Sequence, residues 1–289
     1  MMLVTRRKNM PGMLYLCATP IGNLEDITFR VVETLKTVDL IAAEDTRNSI
    51  KLLNCFEIKT PMTSYHEHNK YEKGKHLVER MEKGENIALI TDAGTPGISD
   101  PGEELVKLCY QKGIKVTSLP GAAACITALS VSGQSTNRFV FEGFLPTDKK
   151  ERKYILEELK NETRTIILYE APHRLTKTLK LLREELGNRK VSVCRELTKK
   201  YETVYQNTLE ETFLYYQEHP VKGECVIVVA GKELEEINKE KQEKWERLSL
   251  LEHMEIYLEA GKDKKEAMKK VAKDRGISKG EVYRGLLKT

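Results

Sequence analysis

No apolar run in this chain approaches the roughly 18 residues that a membrane helix requires. The N-terminal MMLVTRRKNMPG is basic, but neither a long apolar core nor a small-residue cleavage site follows it. A cytoplasmic protein without a membrane segment is therefore expected. The six cysteines, Cys17, Cys55, Cys109, Cys125, Cys194 and Cys225, include no C-x-x-C pair, so neither a disulfide framework nor a zinc site is indicated. They read as small buried hydrophobes. Two phosphate-binding fingerprints, G-x-x-x-x-G-K-[ST] and G-x-G-x-x-G, are also missing.

What is present suits a globular protein: 289 residues, 40% hydrophobic and 32% charged. The net charge of +4 is unevenly spread, because Lys262 to Thr289 holds ten Lys/Arg against four Asp/Glu, a net of +6 that leaves −2 for the rest. Nucleic-acid contact by this last segment and a merely solvated helical surface are both compatible with that excess.

Apolar runs near 13–18, 38–43, 86–90 and 115–119 alternate with stretches of helical spacing, the βαβ pattern of a parallel sheet. Three loops rich in small residues follow such runs: ATPIGN (Ala18 to Asn23), ITDAGTPGISDPG (Ile90 to Gly102) and PGAAA (Pro120 to Ala124). In open α/β proteins the ends of strands build ligand sites, so the three loops predict one pocket. Asp100 reads as the N-cap of a helix with Pro101 first, Glu103 completing a capping box and Gly113 as the stop.

After Phe139 to Phe144 the segment FLPTDKKERK interrupts the alternation with a proline and a burst of charge. The expected boundaries are thus an N-terminal tail, disordered, over 1–12, an α/β domain over 13–144, a second, mixed α/β domain over 145–232 and a helical module over 233–289. A hairpin is expected from Val191 to Arg195 and Glu202 to Gln206. Capping boxes Asp263/Glu266 and Ser278/Glu281 open two short helices around Gly276-Ile277, in a helix-turn-helix-like arrangement with Lys279, Arg284 and Lys288 outside the apolar set of Val282, Leu286 and Leu287.

The prolines in these loops remove amide donors that an anion needs. S-adenosylmethionine suits them better, since it carries an adenine, an amino-acid end and a sulfonium but no phosphate. Gly94, Gly97 and Ala122 to Ala124 would let backbone close on it.

LYLCATPIGNLEDIT, DLIAAEDTR, ITDAGTPGISDPG, PGAAACITALSVSG, FEGFLP, YEAPHR and RELTKKYE occur in this order. Together they resemble the tetrapyrrole methylase superfamily, and within it the branch that methylates a cytidine ribose in the decoding region of small-subunit ribosomal RNA. The resemblance spans essentially the whole chain and implies a two-domain class III methyltransferase fold. It further implies a homodimer that binds folded S-adenosylmethionine between its domains and acts on ribosomal RNA or the small ribosomal subunit. Carried over by motif, Pro20 lies in the first loop. Thr95, Pro96 and Ile98 take the place of a Gly-Asp-Pro segment beside Gly94, and either Asp92 or Thr95 meets the cofactor. Gly121, Ala123 and Ala124 match the third loop, and Tyr169 and Ala230 match cofactor-lining positions of the second domain. Thr91 where serine is usual, and GQSTNRF, are departures.

An alcohol acceptor must lose its proton, so a base or an alkoxide-stabilising cation is wanted. The cluster Glu44, Asp45, Thr46, Arg47 after the second strand offers both, with Asp45 and Arg47 favoured; a structural turn with Asn48 as helix cap is the other reading. Glu170 of YEAPHR either acts in the site or caps the helix after Pro172. Lys199 either meets RNA phosphate or is solvated in a turn. His66 and His68 sit two apart with no third ligand, so no metal is expected. A methyltransferase for a corrin or porphyrin precursor, and a DNA-binding regulator without catalysis, are the alternative functions.

Overall fold

The structure, a computed structural model, describes residues 10–287; residues 1–9 of the expected tail and Lys288 lie outside them. The Gly12 amide already donates to the Met81 carbonyl at 2.7 Å, so the packed chain begins before the boundary expected at 13.

The first unit alternates strand and helix: β1 (Met13–Cys17), α1 (Phe29–Thr37), β2 (Leu40–Ala43), α2 (Thr46–Cys55), β3 (Met62–Ser64), α3 (Lys70–Glu82), β4 (Ile87–Ile90), α4 (Gly102–Gln111) and β5 (Lys115–Leu119). All five strands are parallel, in the order β3-β2-β4-β1-β5. β2 and β4 are buried at every position, as strands covered on both faces must be. One face packs Val31, Leu35 and Leu53 of α1 and α2, and the other Leu77, Met81, Leu105 and Cys109 of α3 and α4. The chain leaves β1 toward one face and β4 toward the other. These two strands are neighbours, so their carboxyl ends form the crevice where such sheets bind ligands.

Helix α5 (Ala124–Val131) crosses to the second unit, packing Cys125, Ala128 and Leu129 against Ile167, Cys194 and Val226. There follow β6 (Phe139–Phe144), α6 (Lys149–Leu159), β7 (Thr165–Glu170), α7 (Leu175–Leu186), β8 (Lys190–Arg195), β9 (Thr203–Thr208), α8 (Leu209–Glu218) and β10 (Cys225–Val229). Their order is β6-β7-β10-β8-β9, with β6 parallel to β7 and the other pairs antiparallel, a mixed sheet containing the expected hairpin.

Two expectations need correction. Phe139–Phe144 belongs to the second sheet, paired from Phe139 with Thr165, so the first unit ends before it rather than at 144. The proline and charge of FLPTDKKERK mark a β-to-α loop, in which Asp148 caps α6 by accepting from the Lys150 and Glu151 amides. At α4 the helix begins at Gly102, one residue later than expected. Asp100 organises the loop instead, accepting from the amides of Gly97 (2.7 Å), Ile98 (3.0 Å) and Gly102 (2.7 Å), while Glu103 pairs with Lys107. Cys55 is exposed, unlike the other five cysteines.

The last four helices are α9 (Leu234–Glu246), α10 (Leu250–Glu259), α11 (Lys264–Asp274) and α12 (Lys279–Leu286). Ser249/Glu252 and Ser278/Glu281 form reciprocal capping boxes, and Asp263 caps α11 by accepting from the Glu266 amide. Met254, Ala267, Val271, Ala272 and Val282 make a separate small core, which Leu286 joins at its edge; Leu287 is exposed, contrary to expectation. Trp245 stacks on the buried His253 with ring centroids 4.0 Å apart, fastening α9 to this module. Among the described residues no helix is long and apolar enough to cross a membrane.

Candidate active site between the two domains

Where the β1–β4 crevice faces the second sheet there is a cavity of about 450 Å³. The β4–α4 loop supplies most of one wall, the start of α5 another, and the second unit closes it with Phe144, Tyr169, Glu170 and the segment Gly223 to Val226. Gly94 has φ +88°, a left-handed conformation that favours glycine, and exchanges backbone bonds with Thr19 across the crevice. The Thr95 hydroxyl donates to the Ala122 carbonyl at 2.9 Å, stapling the second loop to the third. The Tyr169 hydroxyl accepts from the Cys125 amide at 3.2 Å, and burial pushes this phenol above its ordinary range, so it stays protonated.

Five carboxylates, those of Glu44, Asp92, Asp100, Glu170 and Glu224, line the cavity, and no lysine or arginine does among the described residues. Glu44 ends the second strand's turn and accepts from the Asp92 amide at 3.4 Å. Burial, chiefly, raises its pKa above the usual carboxylate value, and the charges of Asp92, Asp100 and Asp45 add to the rise. Glu170 is only 2% exposed; it accepts from the Thr178 hydroxyl (2.5 Å) and the Ala171 amide (2.8 Å), with the Arg174 Nε 3.4 Å away.

The family profile described as Tetrapyrrole (Corrin/Porphyrin) Methylases matches residues 13–212, well over half of the chain. The chain belongs to the tetrapyrrole methylase family. Among relatives, a Bacillus subtilis protein called Ribosomal RNA small subunit methyltransferase I is 52% identical over 272 residues, covering 94% of this chain and 93% of that protein. A Synechocystis protein of the same name is 47% identical over 273 residues, 94% of this chain and 96% of that one. Of solved structures, a diphthine synthase superposes with a TM-score of 0.60 at 15% identity over 76% of this chain and 90% of its own. A Thermus thermophilus uroporphyrin-III-C-methyltransferase gives 0.55 at 16% over 76% and 94%. These two share the class III fold of the family.

Of the residues carried over from the family motifs, Asp92, Gly94, Thr95, Ile98, Ala123, Ala124 and Tyr169 line the cavity. Pro20 lines a neighbouring cavity instead. Pro96 is buried behind the loop, and Gly121 is pressed against Ala18, where an added Cβ would come within 2.6 Å of the Ala18 Cβ. Ala230 lies at the far end of the second sheet. β10 runs antiparallel to β7, so its first residues, Cys225 and Val226, meet the cavity beside Glu170 and Tyr169, and its carboxyl end points away. The sequence also passed over Phe144 and Gly223–Glu224; the left-handed Gly223, φ +93°, is the one local signal there.

The favoured polar residues separate. Asp45, not Asn48, caps α2: its Oδ1 accepts from the Arg47 amide at 2.8 Å, and its carboxylate is gripped by the Arg47 guanidinium. That side-chain hydrogen bond holds its pKa down to about 2. Neither residue lines the cavity, and the Arg47 side chain is 88% exposed. Lys199 bridges Glu196 (3.0 Å) and Glu224 (2.8 Å) at the rim, with its stem over Gly22. Burial lowers its pKa, but hydrogen bonds to Glu224 and Glu196 outweigh this and keep it raised and charged. His66 and His68 lie in a turn with ring centroids 6.0 Å apart, and no group of three potential metal ligands occurs among the described residues.

Because its partners have no substitutes, Glu170 gives a stability prediction. Glu170→Ala is expected to cost about 2–4 kcal/mol, less than a fully buried pair because Arg174 reaches solvent. A fall in thermal midpoint of several degrees checks this, and Glu170→Gln should recover part of it.

Proposed function

We propose that the chain is an S-adenosylmethionine-dependent methyltransferase acting on the ribose 2′-hydroxyl of a cytidine in the decoding region of small-subunit ribosomal RNA, in the cytoplasm, as a homodimer. The observation that carries the cofactor half is the lining of the cavity: five carboxylates, of which Glu224 and Glu170 are paired with Lys199 and Arg174 outside the lining, and no lysine or arginine in the lining among the described residues. That lining repels phosphate and suits a sulfonium. The RNA half is supported by the names of relatives matched over nearly the whole chain. It is also supported by the exposed Lys264, Lys265, Lys269, Lys273, Lys279 and Arg284 on the last two helices. A tetrapyrrole substrate offers no reason for such a module. Exposed Ile126 and Val131 on α5, a helix without charged residues, support a self-association surface.

Gly94, Thr95, Ile98, Ala123, Ala124 and Tyr169 would hold the cofactor, which when bound supplies a methyl group on a sulfonium. The protein's task is then to align the ribose oxygen and remove its proton, and alignment alone is worth several kcal/mol. Glu44, partly desolvated at the cavity wall, is the base; Asp45 holds Arg47 for RNA docking. Glu170 is part of the second-domain wall, held in place by Thr178 and Arg174, and Lys199 positions Glu224 of that wall from the rim. Titration with S-adenosylmethionine by calorimetry, followed by transfer of labelled methyl to unmethylated small subunits, tests this. Binding without transfer to RNA, and with transfer to a tetrapyrrole, would support the corrin or porphyrin alternative.

A further inference from the structure

The β8–β9 turn and the carboxyl end of α8 form one corner of the second unit, at the rim of the interdomain cavity. Gly223 and Glu224, which follow α8, line that cavity, and Lys199 of the turn grips Glu224 at 2.8 Å. This corner also carries a stack of rings and three cations, none of which lines the cavity.

The rings form a ladder. Tyr205 of β9 packs against the core of the second unit, and Tyr215 of α8 stacks on it with centroids 4.3 Å and planes 14° apart. His219 stacks on Tyr215 in turn, at 4.4 Å and 15°, with its Nδ1 2.9 Å from the Tyr215 carbonyl oxygen. His219 is exposed, and among the described residues no further ring covers it. A ladder fixed at its base thus ends in a flat ring facing solvent. In the β8–β9 turn, Tyr201 is 68% exposed, with the Lys200 ammonium 5.6 Å from its ring centre.

The cations are Arg195, Lys200 and Lys222. Arg195 donates to the Thr203 hydroxyl at 3.2 Å and to the Lys222 carbonyl at 3.4 Å, which ties β8 to the loop after α8. Among the described residues none of the three forms an ion pair. The neighbouring acids are occupied: Glu196 and Glu224 by Lys199, and Glu202 by the Thr198 amide at 2.6 Å. Glu218 is the one unpaired acid beside them, so positive charge prevails. Glu196 (φ +53°) and Thr198 (φ +66°) hold left-handed backbone without being glycine, a strain that persists where a loop clamps a ligand.

We infer that this corner docks the single-stranded RNA that flanks the target nucleotide. A base stacks on His219, and backbone phosphates meet Arg195, Lys200 and Lys222. Aromatic platforms beside unpaired cations suit a single strand, because each base has a stacking face and a duplex hides it. The target ribose itself enters the interdomain cavity, where Glu44 stands, and the corner holds the strand at that cavity's rim. The inference rests on the RNA reading proposed above.

The test uses the full-length protein with unmethylated small ribosomal subunits, and three variants: His219→Ala, His219→Phe, and Lys200→Ala combined with Lys222→Ala. All three positions are exposed, so folding should be kept. His219→Ala should lower affinity for subunits about tenfold, and His219→Phe should stay near the wild type, since a base stacks on either ring. In the lysine pair the slope of log affinity against log salt should lessen by about 1.4, some 0.7 for each phosphate contact on a single strand. In every variant the dissociation constant for S-adenosylmethionine, and the single-turnover rate at saturating subunits, should equal those of the wild type. Affinity and slope unchanged in all three would overturn the docking surface while leaving the RNA reading intact. Affinity lost in the lysine pair with the slope unchanged would overturn it too, by assigning the corner to a ribosomal protein. A parallel loss of cofactor affinity would reassign the corner to support of the cavity wall. A wild-type protein that binds the cofactor but methylates no subunit overturns the RNA reading, and the docking surface with it.

Discussion

Glu44→Gln is expected to lower single-turnover methylation of small subunits at neutral pH by about 10²–10⁴-fold, the usual contribution of a general base. The sign of the pH dependence follows from the direction of its shift. Burial raises the Glu44 pKa, with Asp92, Asp100 and Asp45 adding to the rise and the Asp92 amide opposing it. A base works only when deprotonated, so the wild-type rate should fall as pH drops through a value above the ordinary carboxylate range. Glutamine cannot titrate, so the variant's residual rate should lack that acid limb. Asp45→Asn serves as the contrast: its carboxylate is held near pKa 2 by Arg47 and lies off the cavity, so no acid limb near neutrality can belong to it. A Glu44→Gln protein with the wild-type acid limb would reassign the base.

Gly94→Val is expected to weaken S-adenosylmethionine binding about 10- to 100-fold. A β-branched residue at φ +88° is strained by about 1–3 kcal/mol, and the backbone pair with Thr19 leaves it no easy way to relax. An added Cβ itself would find only ordinary contacts, 3.5 Å to the Ile21 Cγ2 and 3.6 Å to the Ala122 carbonyl oxygen. Gly94→Ala should therefore report the backbone cost alone, and the extra loss in Val reports side-chain intrusion on the wall. Calorimetry on both variants checks this. Cofactor affinity in Gly94→Val equal to the wild type would remove this loop from the cofactor wall.

The strands that build the site were legible because β2 and β4 are buried on both faces and read as continuous apolar runs. Three-residue β3 carries no such run and went unseen. The assignment of Phe139–Phe144 failed for a different reason: an edge strand does not declare in its own residues which sheet it joins, and pairing with β7 decided that. Ala230 lies away from the cavity because β10 is antiparallel to β7, and motif order along the chain says nothing of strand direction. The choice of Asp45 over Glu44 turned on one residue. A carboxylate at the N-cap turns back to the helix amides, while its neighbour outside the helix is left to face the cavity. Loop composition could locate the pocket but not choose between adjacent acids.

The central claim is methyl transfer to a ribose of small-subunit ribosomal RNA. Mapping ribose methylation across that RNA from cells with and without the gene tests it most directly. The account predicts that one 2′-O-methyl group, on a cytidine of the decoding region, disappears on deletion and returns with the wild-type gene but not with Glu44→Gln. An unchanged methylation map in the deletion strain would contradict it.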